Sequence, residues 1–79
     1  MTVYIKPGCP LCDEALAEVK LARQRRNFII EEVNILADLG LYERYRDTIP
    51  VVYLDGIEVF RYRLTAAELL LNMRRATGG

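Results

Sequence analysis

The chain contains no histidine and no tryptophan, and only two cysteines among its 79 residues. Without histidine, no Cys-His or Ser-His couple and no zinc site with imidazole ligands can form within one chain. Cys9 and Cys12 supply half of the four ligands of a structural zinc site and no second Cys-x-x-Cys follows, so no metal ligand is assigned. An excess of either charge is also missing. Eleven basic residues balance eleven acidic ones, and no basic stripe is interleaved with aromatics, which argues against nucleic acid and anionic membrane as partners. No apolar run approaches the roughly 20 residues that span a bilayer, and the opening "MTVYIKPG" is unlike a signal peptide. A soluble, cytoplasmic chain without a membrane segment is expected.

What is present suffices for one folded unit. Hydrophobic residues make up 52% and charged ones 28% of the chain, with no Gly/Ser-rich tract, linker or repeat, so a single domain over residues 1–79 is expected. A chain of this size buries only about 60% of its unfolded surface, which limits it to one small core. "TVYIK" (2–6) is a β-branched and aromatic run broken by Pro7 and Gly8, and reads as a strand. From Pro10 to about Arg26, apolar residues at 12, 15, 16, 19 and 22 predict an amphipathic helix with acidic residues early and basic residues late. "NFIIEEVNI" (27–35) predicts a second strand, parallel to the first across a right-handed crossover. A weaker helix is expected from about Ala37 to Tyr45, with Leu41 and Tyr45 inward and Gly40 interrupting it at about 1 kcal/mol against alanine.

The second half of the chain has sharper local signals. "PVVYL" and "IEVFRY" are separated only by Asp55 and Gly56, the pair suited to a type I′ hairpin turn. Thr65 and Glu68 form a T-x-x-E capping box for a last helix, with Leu64 and Leu69 as a hydrophobic staple and an end by Gly78. The order β-α-β-α-β-β-α gives an α/β fold with a mixed four-stranded sheet flanked by three helices.

In that frame Cys9 falls at the junction of the first strand and first helix, with Pro10 at the first helical position, where its missing N–H is no loss. The free amides of the first turn and the positive end of the helix dipole favour a thiolate on Cys9. Lys6, on the same loop, can add positive charge. Cys12 is one turn further on, close enough for a disulfide and more buried than Cys9. A bridge across so short a loop stabilises little through chain entropy, so the spacing suits thiol-disulfide exchange better than a structural staple.

With these residues in view, the sequence resembles the glutaredoxin-like branch of the thioredoxin-fold superfamily. "KPGCPLC" matches the glutaredoxin "KPxCPYC" segment, "TIPVV" (48–52) stands in the position of the cis-proline loop, and "YLDGIEVF" matches the hairpin that follows. The resemblance implies a thioredoxin-like fold and a thiol-disulfide oxidoreductase in which Cys9 attacks and Cys12 resolves. It also implies that Ile49 and a cis Pro50 stand opposite Cys9. Lys6 and Thr48 agree with a glutathione site, Arg44 or Arg46 can meet a glycine carboxylate, and Pro10, Leu11 and Thr65 complete the candidate substrate-binding set. Two departures bear on the substrate. Leu11 replaces the usual tyrosine between the cysteines, and "FRYRLTAAE" stands where glutaredoxins carry a Gly-Gly-x-Asp turn that binds a carboxylate of glutathione.

The partners implied are disulfide-containing proteins or glutathione mixed disulfides, with reduction by glutathione or a thioredoxin-reductase-type enzyme. A monomer with no bound cofactor is expected. The alternatives are an iron-sulfur scaffold built on Cys9 and a binding or adaptor module of the same fold without turnover.

Overall fold

The computed structural model describes residues 1–76. Strands β1 (Thr2–Ile5), β2 (Glu31–Asn34), β3 (Val51–Leu54) and β4 (Ile57–Arg61) alternate with helices α1 (Pro10–Arg23), α2 (Leu39–Tyr45) and α3 (Ala66–Ala76), in the order expected. The sheet order is β2-β1-β3-β4. β1 runs parallel to β2 and antiparallel to β3, and β3 and β4 form an antiparallel hairpin. Asp55 and Gly56 both have positive φ, 52° and 80°, as a type I′ turn requires. A bulge between Val52 and Tyr53 adds one residue to the β4 side of the ladder.

Alternation along the strands sorts the core into two layers. Val3 faces Val52 across β1 and β3, and both pack with Ala15, Val19 and Ala22 of α1 and Leu64, Leu69 and Met73 around α3. On the opposite face, Val51 joins Ile35, Tyr45, Ile49 and Cys12. α1 and α3 therefore cover one face of the sheet, while the Ile35–Tyr45 segment covers the other. Among the described residues no helix is long and apolar enough to cross a membrane.

Three boundaries differ from the sequence expectation. β2 covers 31–34 rather than 27–35, because its ladder is limited to the four residues of β1 that face it, Thr2 to Ile5. Phe28 and Ile30 still pack against the core, while Ile29 is 82% exposed. α1 ends at Arg23, and the amides of Arg25 and Arg26 close a turn on the Ala22 carbonyl. The weak second helix becomes a 3₁₀ turn, Ile35–Ala37, followed by α2. Asp38 separates them: its side chain caps α2 by accepting the Leu41 N–H at 3.1 Å. Gly40 thus sits in the first turn rather than the helix interior, where a Cβ would come 3.1 Å from that Asp38 oxygen. The last helix's expected end at Gly78 lies outside the described residues.

Candidate functional site

The loop between β1 and α1 is shaped by Gly8, whose φ of +75° lies in the left-handed region that a side chain disfavours. It delivers Cys9 in extended conformation to the N-cap of α1, with Pro10 at the first helical position. There the Cys9 Sγ accepts the Cys12 N–H at 3.3 Å, and the Cys9 carbonyl accepts the Asp13 N–H at 3.1 Å. The sulfur thus takes the place of the serine or aspartate oxygen that usually caps a helix. Both thiols are free, Cys9 half-buried and Cys12 buried.

The two sulfurs differ in their surroundings. Cys12 is 1% exposed and packs with Ile35, Tyr45, Ile49 and Val51. Burial pushes its thiol from 9.0 up to about 12, helped by its hydrogen bond to Cys9, while a backbone hydrogen bond with Lys6 pulls the other way. Cys12 is therefore held as a protonated thiol. Three tyrosine rings stand over the same layer. Tyr4 stacks on Tyr45 at 4.5 Å between centroids, and Tyr53 meets both edge-on. The hydroxyls of Tyr45 and Tyr53 lie 3.2 Å apart, which with burial raises Tyr45 from 10.0 to about 12.

The remaining candidate residues fall into three groups. Ile49 shares the layer of Cys12, Cys9 packs against that layer, and the Ile49–Pro50 peptide is cis. The Ile49 N–H donates to the Tyr45 carbonyl at 3.1 Å, so the Ile49 carbonyl is the group left to consider for pairing with a substrate. Thr48 turns inward: its hydroxyl and N–H both donate to the Tyr45 carbonyl. Arg44 lies over the Tyr45 ring at 5.4 Å and Arg46 pairs with Asp47 at 3.6 Å, both on α2 or its end. Lys6 is half-buried ahead of the loop.

Thr65 belongs to a different corner. It accepts the Glu68 N–H at 3.1 Å, capping α3 as expected, but the Glu68 carboxylate takes the Thr65 hydroxyl, at 3.0 Å, where the reciprocal half of a capping box would take a backbone N–H. The adjoining Ala66 N–H donates 3.0 Å to the Glu18 carboxylate of α1. Tyr62, just before, has a φ of 64°, a left-handed conformation uncommon for a bulky residue, and its N–H donates to the Pro50 carbonyl at 2.9 Å. A cleft of about 630 Å³ opens here, bordered by Leu11, Glu14 and Glu18 on α1 and by Tyr62, Thr65 and Glu68. Leu11 and Thr65 share this cleft, whereas Cys12 and Ile49 lie in the opposite core layer. Neither Glu18 nor Tyr45 was foreseen as a site residue. Glu18 lies two turns from Leu11 on one helix face, but its link to Ala66 spans 48 positions and leaves no local signature.

Among the described residues no group of three or more Cys, Asp or Glu side chains is placed to hold a metal ion. Comparison with known proteins gives a family and a structural neighbour. The model of the family described as Glutaredoxin-like domain (DUF836) matches residues 1–73. The X-ray structure of XcR50, a Northeast Structural Genomics target protein from X. campestris, superposes with a TM-score of 0.80 at 27% identity, covering 94% of this chain and 95% of that one.

Proposed function

The chain belongs to the glutaredoxin-like domain family, with its thioredoxin-like fold, and we propose that it is a thiol-disulfide oxidoreductase using Cys9 and Cys12. The observation that carries this reading is the placement of two free thiols one helical turn apart, one capping α1 and half-buried, the other buried and protonated. The Cys9 thiolate attacks one sulfur of a substrate disulfide. A Cys9–substrate disulfide forms and the other substrate sulfur leaves as a thiolate that takes up a proton. The Cys12 thiol then gives up its proton, and its sulfur attacks the Cys9 sulfur. The substrate's second thiol is released and an intramolecular Cys9–Cys12 disulfide remains.

Two electrons have passed to the substrate, and a thiol reductant, glutathione or a thioredoxin-reductase-type enzyme, returns the protein to the dithiol. Bonding Cys9 to substrate removes its charge from beside Cys12, one of the causes that hold the Cys12 proton. Resolution is thereby favoured once the mixed disulfide exists. The substrates are disulfide-containing proteins or glutathione mixed disulfides, Ile49 and Pro50 flank the reacting sulfur, and the protein acts as a monomer without a bound cofactor. Such a reductant belongs in a reducing compartment, the cytoplasm.

The test is turnover of a disulfide substrate in both reductant systems with wild type, Cys9→Ser and Cys12→Ser. Loss of activity in Cys9→Ser and a trapped mixed disulfide on Cys9 in Cys12→Ser, seen by mass spectrometry, are expected. Full activity of Cys9→Ser would overturn the assignment and leave the binding-module reading.

A further inference from the structure

Tyr62, between β4 and α3, is held in a conformation that its own side chain disfavours. A φ of 64° suits glycine or asparagine, and a bulky residue kept there carries strain. Core packing does not offset that cost, because the ring joins neither core layer and stays 48% exposed. Its place in the sheet is more informative. Tyr4 faces Val51 across β1 and β3, and Val51 faces Arg61 across β3 and β4. The loop carrying Cys9, the Ile49–Pro50 peptide and Tyr62 therefore lie at one end of the sheet. Tyr62 N–H donates to the Pro50 carbonyl at 2.9 Å, and its side chain borders the same cleft as Leu11, the residue before Cys12. Ala15 and Leu64 extend the apolar part of that lining.

We propose that Tyr62 is a specificity-determining residue of the exchange site, its ring forming with Leu11 an apolar seat for a bulky side chain next to the cysteine of a polypeptide disulfide. The inference rests on the oxidoreductase reading and deepens it. Leu11 follows Cys9 by two positions, at most about 7 Å along the chain. A substrate residue one or two positions from the cysteine bonded to Cys9 thus comes within reach of Leu11 and the Tyr62 ring. A leucine there removes apolar surface from water on both partners, and a serine removes far less. Glycine at this position would satisfy the backbone and leave the cleft without its aromatic wall.

The test uses disulfide-linked dimers of two uncharged peptides, acetyl-Leu-Cys-Leu-amide and acetyl-Ser-Cys-Ser-amide. Oxidation of the reduced protein is timed with each, and every rate constant is divided by that of 2-mercaptoethanol with the same disulfide, which removes differences in the leaving thiol. Wild type should prefer the leucine dimer on the order of fivefold, as partial burial of one leucine gives. Tyr62→Phe should keep that preference. Tyr62→Gly and Tyr62→Asn, which both accept a left-handed backbone, should lose it while melting within a few degrees of wild type. A preference that neither substitution moves, or none in wild type, would overturn the inference and leave the oxidoreductase reading standing. Melting of both variants far below wild type would make the ring part of the fold and overturn it equally. Failure of wild type to react with either dimer would overturn both readings.

Discussion

At the start of α1 the capping atom is a sulfur, the Cys9 Sγ on the Cys12 amide; at the start of α3 it is the Thr65 hydroxyl, reinforced by Glu18 and Glu68. The helices pack against each other and share one core layer, so both starts belong to the same end of similar elements. The capping geometry is met in both. The difference lies in what the capping group can do afterwards: a thiol can form and break bonds to another sulfur, whereas a hydroxyl that both caps the helix and donates to Glu68 is committed to the fold. The start of α1 presents a free thiol, and the start of α3 is consumed by structure and local charge.

The sharpest way to break the contrast is to make the start of α1 like that of α3. Cys9→Ser installs a preferred capping residue, so disulfide turnover should fall on the order of 10³-fold or more while the melting temperature stays near that of wild type. A large loss of stability would mean that the thiol caps by more than its hydrogen bond.

A second effect comes from protons. Cys12 ionises near 9.0 in the unfolded chain and near 12 when folded. Between these values the folded state retains a proton that the unfolded state has lost, so stability falls as pH rises. Tyr45, raised from 10.0 to about 12, acts in the same direction at higher pH. Melting of the reduced protein from pH 8 to 11 should decline from about pH 9 in wild type and only later in Cys12→Ala. Equal slopes would show that the apolar layer does not hold the proton.

The smallest change is expected from the other helix. Thr65→Ala removes the side-chain cap on Glu68 N–H and should cost about 1 kcal/mol, a drop of about 4–8 °C for a domain of this size. Alkylation of Cys9 by iodoacetamide should keep its wild-type rate. A slower rate would couple the two helix starts and contradict their separation.

What was legible in the sequence follows the range of each interaction. The Cys9–Cys12 pair, Pro10, the Asp55-Gly56 turn and the Thr65 cap on Glu68 N–H are all set by neighbours within four positions, and each is found where local spacing placed it. The cis peptide at Ile49–Pro50 was expected from the resemblance alone, since spacing has no bearing on it. Limits that depend on a distant partner were not legible. The length of β2 is set by how much of β1 it can face, and its hydrophobic approach, Phe28 to Ile30, looks like strand but is not paired as one. The Glu18–Ala66 link and the Tyr4–Tyr45–Tyr53 ring cluster join segments that approach only after folding. So the pair of thiols could be read from the sequence, and the long-range contacts around them could not.

The ring cluster has an optical consequence. With no tryptophan in the chain, its near-ultraviolet absorption and emission come chiefly from five tyrosines, and Tyr4, Tyr45 and Tyr53 lie in or against the layer that buries Cys12. Closing a Cys9–Cys12 bond changes the sulfur beside those rings. A Cys9–Cys12 disulfide, if the thiols close one, would therefore be read without a label through the tyrosines, Tyr45 sharing the buried layer of Cys12.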